Sequence, residues 1–202
     1  MRLVLITGFL GSGKTTVLLS LAGYLSRRTD PKRIVIIENE IGEANVDGLL
    51  MTETAYEVRD LTAGCICCTL SGQLVNALTE IKNDLDPEWL LVEATGIAHQ
   101  TIADVIRQTV PGLRPLSLVV VDAQRWDELM DNLPMLIMAQ VEKADLILIN
   151  KIESLSAADL TRVEEEVREL NQRQPCHKIS AATDDLSGLW QWLTTGGNSA
   201  AA

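Results

Sequence analysis

Aromatic side chains are scarce in this 202-residue chain, which has four Trp, two Tyr and one Phe. Base-stacking platforms for single-stranded nucleic acid need several aromatics together, so that class of function is excluded. Basic residues are also short. Seventeen Lys and Arg stand against twenty-eight Asp and Glu, a net charge of −11. A nucleic-acid surface needs a basic stripe, and none is present. No apolar run approaches the roughly 20 residues that span a bilayer. The opening run Leu3–Thr7 is shorter than a signal-peptide core and is followed by no small-residue cleavage site, so we read the protein as cytoplasmic. Cysteine is sparse too. Three of the four crowd together as Cys65, Cys67 and Cys68, and neighbours this close cannot staple distant segments. A secreted disulfide framework is thereby excluded, and metal or redox chemistry is favoured.

What is there is an aliphatic chain with 47% apolar and 22% charged residues, a globular composition built on Leu, Ile, Val and Ala. Short apolar runs alternate with helical stripes. The runs are Leu3–Thr7, Arg33–Glu38, Tyr56–Leu61, Trp89–Glu93, Leu116–Asp122, Leu146–Asn150 and His177–Ser180. Most are continuous rather than alternating, as strands buried on both faces are. Three stripes recur at helical spacing. They are Val17, Leu18, Leu21, Ala22 and Leu25; then Leu70, Leu74, Leu78, Ile81 and Leu85; then Leu160, Val163, Val167 and Leu170. In the third, Glu164, Glu165 and Glu166 are expected to be mostly turned to solvent, and Ser156 is the expected N-cap. Strand, helix, strand, helix in this order predicts an α/β fold, a parallel sheet with helices on both faces. We expect one domain over 1–195, and a frayed tail over 196–202 in a small, polar stretch that opens at Thr194. Ligands of such folds sit at the carboxyl ends of the strands.

The first run ends in Gly8-Phe9-Leu10-Gly11-Ser12-Gly13-Lys14-Thr15-Thr16, which fits the phosphate-loop pattern between a strand and a helix. Its glycines let backbone N–H groups curl around an anion, and the following helix points its positive end at the same place. Lys14 would reach the outer phosphates, and Thr15 is the expected Mg²⁺ ligand. The fourth run ends in Glu93-Ala94-Thr95-Gly96. Glu93 would hold a metal-bound water or orient the attacking one, unless it is an ordinary strand-end acid. Gly96 lets the chain pass close to the terminal phosphate.

The sixth run ends in Asn150-Lys151-Ile152-Glu153. GTPases use Asn-Lys-x-Asp here: the Asn bonds the purine, the Lys stem lies over the ring, and the carboxylate takes the guanine N1–H and N2–H₂. Adenine offers a carboxylate no such donor pair, so guanine is the expected base even with Glu153 in place of Asp. Ser180-Ala181, after the last run, matches the element that meets the guanine carbonyl through backbone N–H.

Thiolates select Zn²⁺, Cu⁺ and similar ions. Cys65, Cys67 and Cys68 can hold one while leaving a coordination position open, which suits a carrier. Cys176, alone, is read as core. Glu38, Glu40 and Glu43, in an acidic segment that continues to Asp47, follow the second run, where a nucleotide switch belongs. Acids so close to a phosphate site call for cations between them.

Together these segments resemble the SIMIBI-class GTPases that group CobW with HypB and UreG, nearest to the CobW-like branch. The resemblance implies a three-layer P-loop GTPase domain that binds GTP or GDP with Mg²⁺, binds a transition metal such as zinc, and delivers it to a client metalloprotein. It implies that Glu40 is the switch carboxylate near Mg²⁺ and that Glu38, Glu43, Cys67 and Cys68 belong to the transition-metal site, with Cys65 in the same motif. His99, adjacent in sequence to the Glu93–Gly96 segment, is read as a surface histidine, with membership of a site as the alternative. A GTP- or metal-dependent homodimer is a further expected partner; nucleic acid and membrane are not. Two other readings use the same residues: a non-hydrolytic metal sensor or store, and a small-molecule kinase. Intrinsic hydrolysis is expected to be slow, because Arg27, Arg28 and Arg33 lie away from the phosphate loop.

Overall fold

The computed structural model describes residues 1–30, 33–38, 57–60, 70–94, 99–110 and 112–196. Seven strands form one sheet in the order β3-β2-β4-β1-β5-β6-β7. They are β1 (Arg2–Gly8), β2 (Ile34–Glu38), β3 (Glu57–Asp60), β4 (Trp89–Glu93), β5 (Pro115–Asp122), β6 (Leu146–Asn150) and β7 (Cys176–Lys178). Every described pairing is parallel. The strands fall on the predicted runs to within one residue at each end, except that β7, which begins one residue early, stops at Lys178, two residues short.

The helices are α1 (Lys14–Ser26), α2 (Leu70–Asp84), α3 (His99–Thr109), α4 (Trp126–Asn132), α5 (Pro134–Glu142), α6 (Ala157–Leu170) and α7 (Ser187–Thr194). Residue parity along the strands decides which helix each side chain meets. Val4, Ile6, Ile34, Ile36, Leu91, Leu118 and Leu148 pack with Val17, Leu18 and Leu21 of α1 and Trp190 of α7. Leu3, Leu5, Val35, Ile37, Leu90 and Val92 turn to the other face, against Leu78 and Ile81 of α2 and Ile102 and Ile106 of α3. Val119, Val121, Ile147 and Ile149 continue that face, with Trp126, Ile137, Val141, Val163 and Val167. Two buried faces are why the strands are continuously apolar. Each fully buried Val, Leu or Ile contributes about 1.5–3 kcal/mol.

The N-cap at Ser156 holds: its Oγ accepts from Asp159 N at 3.2 Å. Two of the three acids on α6 do not merely face solvent. Glu164 accepts from Lys178 and Arg168, and Glu166 Oε2 accepts from Trp126 Nε1 at 2.6 Å. Helices α3, α4, α5 and α7 are additions to the three predicted stripes. α4 and α5 are too short to display a period, whereas Ile102, Ala103, Ile106 and Val110 lie at readable helical spacing. Thr194 closes α7 and donates to Trp190 O at 2.8 Å. At β7, burial pushes the Cys176 thiol up to about 11 and the neighbouring His177 below its ordinary value. No helix among the described residues is long and apolar enough to cross a membrane.

Candidate functional site

The carboxyl ends of β1, β4, β5 and β6 bring Gly8, Glu93, Asp122 and Asn150 to one edge of the sheet. Register makes this unavoidable: Ile6 lies beside Glu93, Gly8 beside Val120 and Asp122 beside Asn150. The loop from Gly8 to Thr15 rises from that edge. Gly8, Gly11 and Gly13 all have positive φ, at 144°, 75° and 97°. A Cβ on Gly8 would come within 2.3 Å of Val120 O, and one on Gly13 within 2.4 Å of Asn150 Nδ2. Glycine is therefore required at both positions by space as well as by backbone conformation. Ser12 is fully buried, and its Oγ has no hydrogen-bond partner. An orphaned donor inside a glycine loop at a helix N-terminus fits a phosphate oxygen.

Lys14 is 5% exposed, unusual for lysine. Its Nζ donates to Phe9 O at 3.1 Å and stands 3.8 Å from Glu93 Oε1. Thr15 Oγ1 donates to Glu93 Oε2 at 2.9 Å. One carboxylate thus meets both the lysine and the hydroxyl of the loop. The Thr15 hydroxyl and the Glu93 carboxylate are hard oxygen donors of the kind Mg²⁺ takes. Thr16 is exposed on the first turn of α1.

Asn150 is buried, and both ends of its amide are used. Nδ2 donates to Ser12 O at 2.8 Å, and Oδ1 accepts from Ala181 N at 2.8 Å. It braces the phosphate loop against the segment after β7. Ser180 N donates to Asp184 Oδ2 at 2.6 Å, so the backbone donors of Ser180 and Ala181 are both engaged within the chain. Lys151 takes a left-handed backbone conformation, φ 65°, and opens the short 3₁₀ turn Ile152–Ser154. That turn presents Glu153 to solvent.

Glu40, Glu43, Asp47, Cys65, Cys67, Cys68 and Gly96 lie outside the described residues. Glu38 ends β2, beside Asp60 of β3, and His99 opens α3. The candidate transition-metal site is therefore represented by the backbone of Glu38 alone.

The sequence profile of the CobW/HypB/UreG nucleotide-binding domain matches residues 2–178. The chain belongs to the CobW/HypB/UreG family. The zinc chaperone YjiA of Escherichia coli is 32% identical over 92% of this chain and 59% of its own length. The zinc chaperone CobW of a Sinorhizobium species is 33% identical over 84% of this chain and 56% of its own length. The chain thus spans little more than half the length of these curated relatives. Among solved structures, Helicobacter pylori HypB in complex with nickel superposes with a TM-score of 0.62 at 16% identity, covering 98% of this chain and 88% of that one. Zn(II)-bound YjiA from E. coli superposes with a TM-score of 0.62 at 23% identity, over 92% and 60%. These likenesses show the P-loop fold.

Two residues of this CobW/HypB/UreG domain escaped the sequence reading. Asp122, with a side chain wholly removed from solvent, accepts from Lys151 Nζ at 2.7 Å and Arg125 Nε at 2.9 Å. Arg125 also donates to Leu10 O and stands over the Phe9 ring, 5.5 Å from its centroid. Arg125, which the sequence reading did not weigh beside Arg27, Arg28 and Arg33, therefore reaches the rim of the phosphate loop. A signal existed, since Asp122 ends the fifth apolar run on the ligand edge. Arg125 carried none, because its reach to Leu10 spans 115 residues of sequence.

Proposed function

We propose that this chain is the nucleotide-binding part of a metal-handling GTPase, one that hydrolyses GTP slowly and uses the bound nucleotide to control a transition-metal cargo, zinc or a similar thiophilic ion, for a client metalloprotein in the cytoplasm. The names of the zinc chaperones that it resembles support the cargo. The observation that carries the nucleotide reading is Asn150, whose single amide ties Ser12 of the phosphate loop to Ala181 of the base-facing segment.

Backbone N–H groups from Gly11 to Lys14 would cradle the phosphates, with Lys14 neutralising them and Ser12 Oγ adding a donor. Thr15 and Glu93, joined by Glu40, would hold Mg²⁺, which supplies charge stabilisation to the transferring phosphoryl group. Glu93, bonded to Thr15, would orient the attacking water through its carboxylate. Glu153 would take the guanine donor pair beside Lys151, and Gly96 would give the third motif its close approach. Glu38, Glu43, Cys65, Cys67 and Cys68 would hold the cargo ion. A homodimer formed in response to GTP or metal fits a domain whose site opens on one edge. Arg125 is engaged by Asp122 and Leu10 O, which keeps intrinsic turnover below the roughly 1–100 s⁻¹ of kinases.

Calorimetry with GTP and ATP, followed by phosphate release and by Zn²⁺ titration against a chelator in the GDP and GTP-analogue states, tests this reading. We expect a marked preference for GTP, slow phosphate release without any acceptor, and a zinc affinity that differs between the two states by roughly 5–150-fold. Equal affinity for the two nucleotides would remove the base assignment, and equal zinc affinity in both states would remove the carrier switch.

A further inference from the structure

We propose that Asp122 is a positioning residue that sets both halves of the nucleotide site at once, the base half through Lys151 and the phosphate half through Arg125. The inference rests on the nucleotide reading above and adds a residue to it. Its foundation is a carboxylate with no solvent exposure serving two cationic side chains, Lys151 after β6 and Arg125 after β5. A buried charge persists only where partners satisfy it, and losing one partner leaves the other exposed to the full desolvation penalty. Here the partners are complete. Oδ2 accepts from Lys151 Nζ at 2.7 Å and from Arg125 Nε at 2.9 Å, while Oδ1 accepts from Arg125 N at 3.2 Å. The backbone repeats the link, since Ala123 N donates to Asn150 O at 3.0 Å.

Each arm has its own consequence. Lys151 stands in the left-handed region, which a non-glycine residue adopts only where its surroundings hold it. The bond to Asp122, at the end of β5, anchors the lysine that opens the turn carrying Glu153. On the other side, Arg125 is fastened at Nε, so its terminal nitrogen meets the rim of the phosphate loop at Leu10 O and passes 3.5 Å from where a Gly11 Cβ would lie. The Phe9 ring packs beneath the same guanidinium. Leu10 itself is 77% exposed, and the Arg125 bond to its carbonyl adds to the bonds that Ser12 N and Lys14 Nζ donate to Phe9 O in restraining the outer part of the loop.

Three variants separate the two arms, read with two probes. One probe is the ratio of GTP to ATP affinity, which reports the base half. The other is inorganic tripolyphosphate affinity with Mg²⁺, which reports the phosphate half. Lys151→Met is expected to lower the ratio about tenfold and leave tripolyphosphate unchanged, and Arg125→Gln is expected to weaken tripolyphosphate about fivefold and leave the ratio unchanged. Asp122→Asn is expected to do both. A merely structural carboxylate would lower the melting temperature without moving the ratio. The proposal is overturned if folded Asp122→Asn protein leaves either probe unchanged. If that variant does not fold, the two single-arm variants decide: the split pattern supports the proposal, and its absence overturns it. Failure of the wild-type protein to bind GTP would instead sink the nucleotide reading, and this inference with it.

Discussion

Replacing Asn150 tests the brace at the centre of the site. The amide makes one bond as donor, to Ser12 O at 2.8 Å, and one as acceptor, from Ala181 N at 2.8 Å, and the residue is only 4% exposed. Asn150→Ala removes both and leaves a buried carbonyl and a partly buried N–H unpaired. Each group left so costs about 1–3 kcal/mol, and we take about 3 kcal/mol for the pair because Ala181 N can still find water. For a domain of this length that is a fall in melting temperature of about 6–12 °C. Asn150→Asp is the sharper probe. It keeps the acceptor for Ala181 N but sets a carboxylate oxygen against Ser12 O. Burial and that carbonyl raise the introduced carboxyl above its usual value of about 3.9 in the folded state only. A group with a raised folded pKa contributes stability at low pH that is lost as pH climbs through the folded value. The deficit of Asn150→Asp relative to wild type should therefore be larger at pH 8 than at pH 5. Thermal and urea melts of nucleotide-free protein at both pH values measure it. A deficit that does not depend on pH, or an Asn150→Ala melt within 2 °C of wild type, would refute the brace (~1 kcal/mol or less).

Three further outcomes are expected. Gly13→Ala should abolish nucleotide binding and destabilise the fold, because its Cβ would meet Asn150 Nδ2 at 2.4 Å at a φ of 97°; calorimetry and a melt check it, and wild-type affinity would contradict the loop geometry. His177, its Nε2 buried without a partner and its ring 5.4 Å from that of Trp192, is held below its ordinary value by burial and then by Arg168. The unfolded chain then takes the proton first, so stability present above pH about 6.5 is lost as pH falls toward the folded value; His177→Phe should flatten the decline in melting temperature between pH 7 and 5. The Cys176 thiol, pushed up to about 11 by burial, should alkylate slowly at pH 8 when followed residue by residue by mass spectrometry, and labelling at the rate of an exposed thiol would count against the packing of β7.

The sequence alone determined the elements that depend on near neighbours. Continuous apolar runs declare strands buried on both faces, because period-2 alternation vanishes when both sides are covered. The phosphate loop is equally local: glycines, lysine and threonine within nine residues specify a turn, a helix start and an anion. Ser156 announced the start of α6 through a bond only three residues long. Tertiary structure decided whatever depends on strands brought side by side. Thr15 and Glu93 meet across 78 residues, Asn150 and Ser12 across 138, and Arg125 and Leu10 across 115. No periodicity encodes those distances; they follow from the order β4-β1-β5-β6, which sets four strand ends side by side. The same placement turned Glu164 and Glu166 from surface charges into acceptors for Lys178 and Trp126. It also made Asp122 a buried acceptor shared by Lys151 and Arg125, which the sequence presents as separate. A carboxylate at a strand end is ordinary in one dimension, and only its neighbours in three decide whether it is solvated or holds a site together.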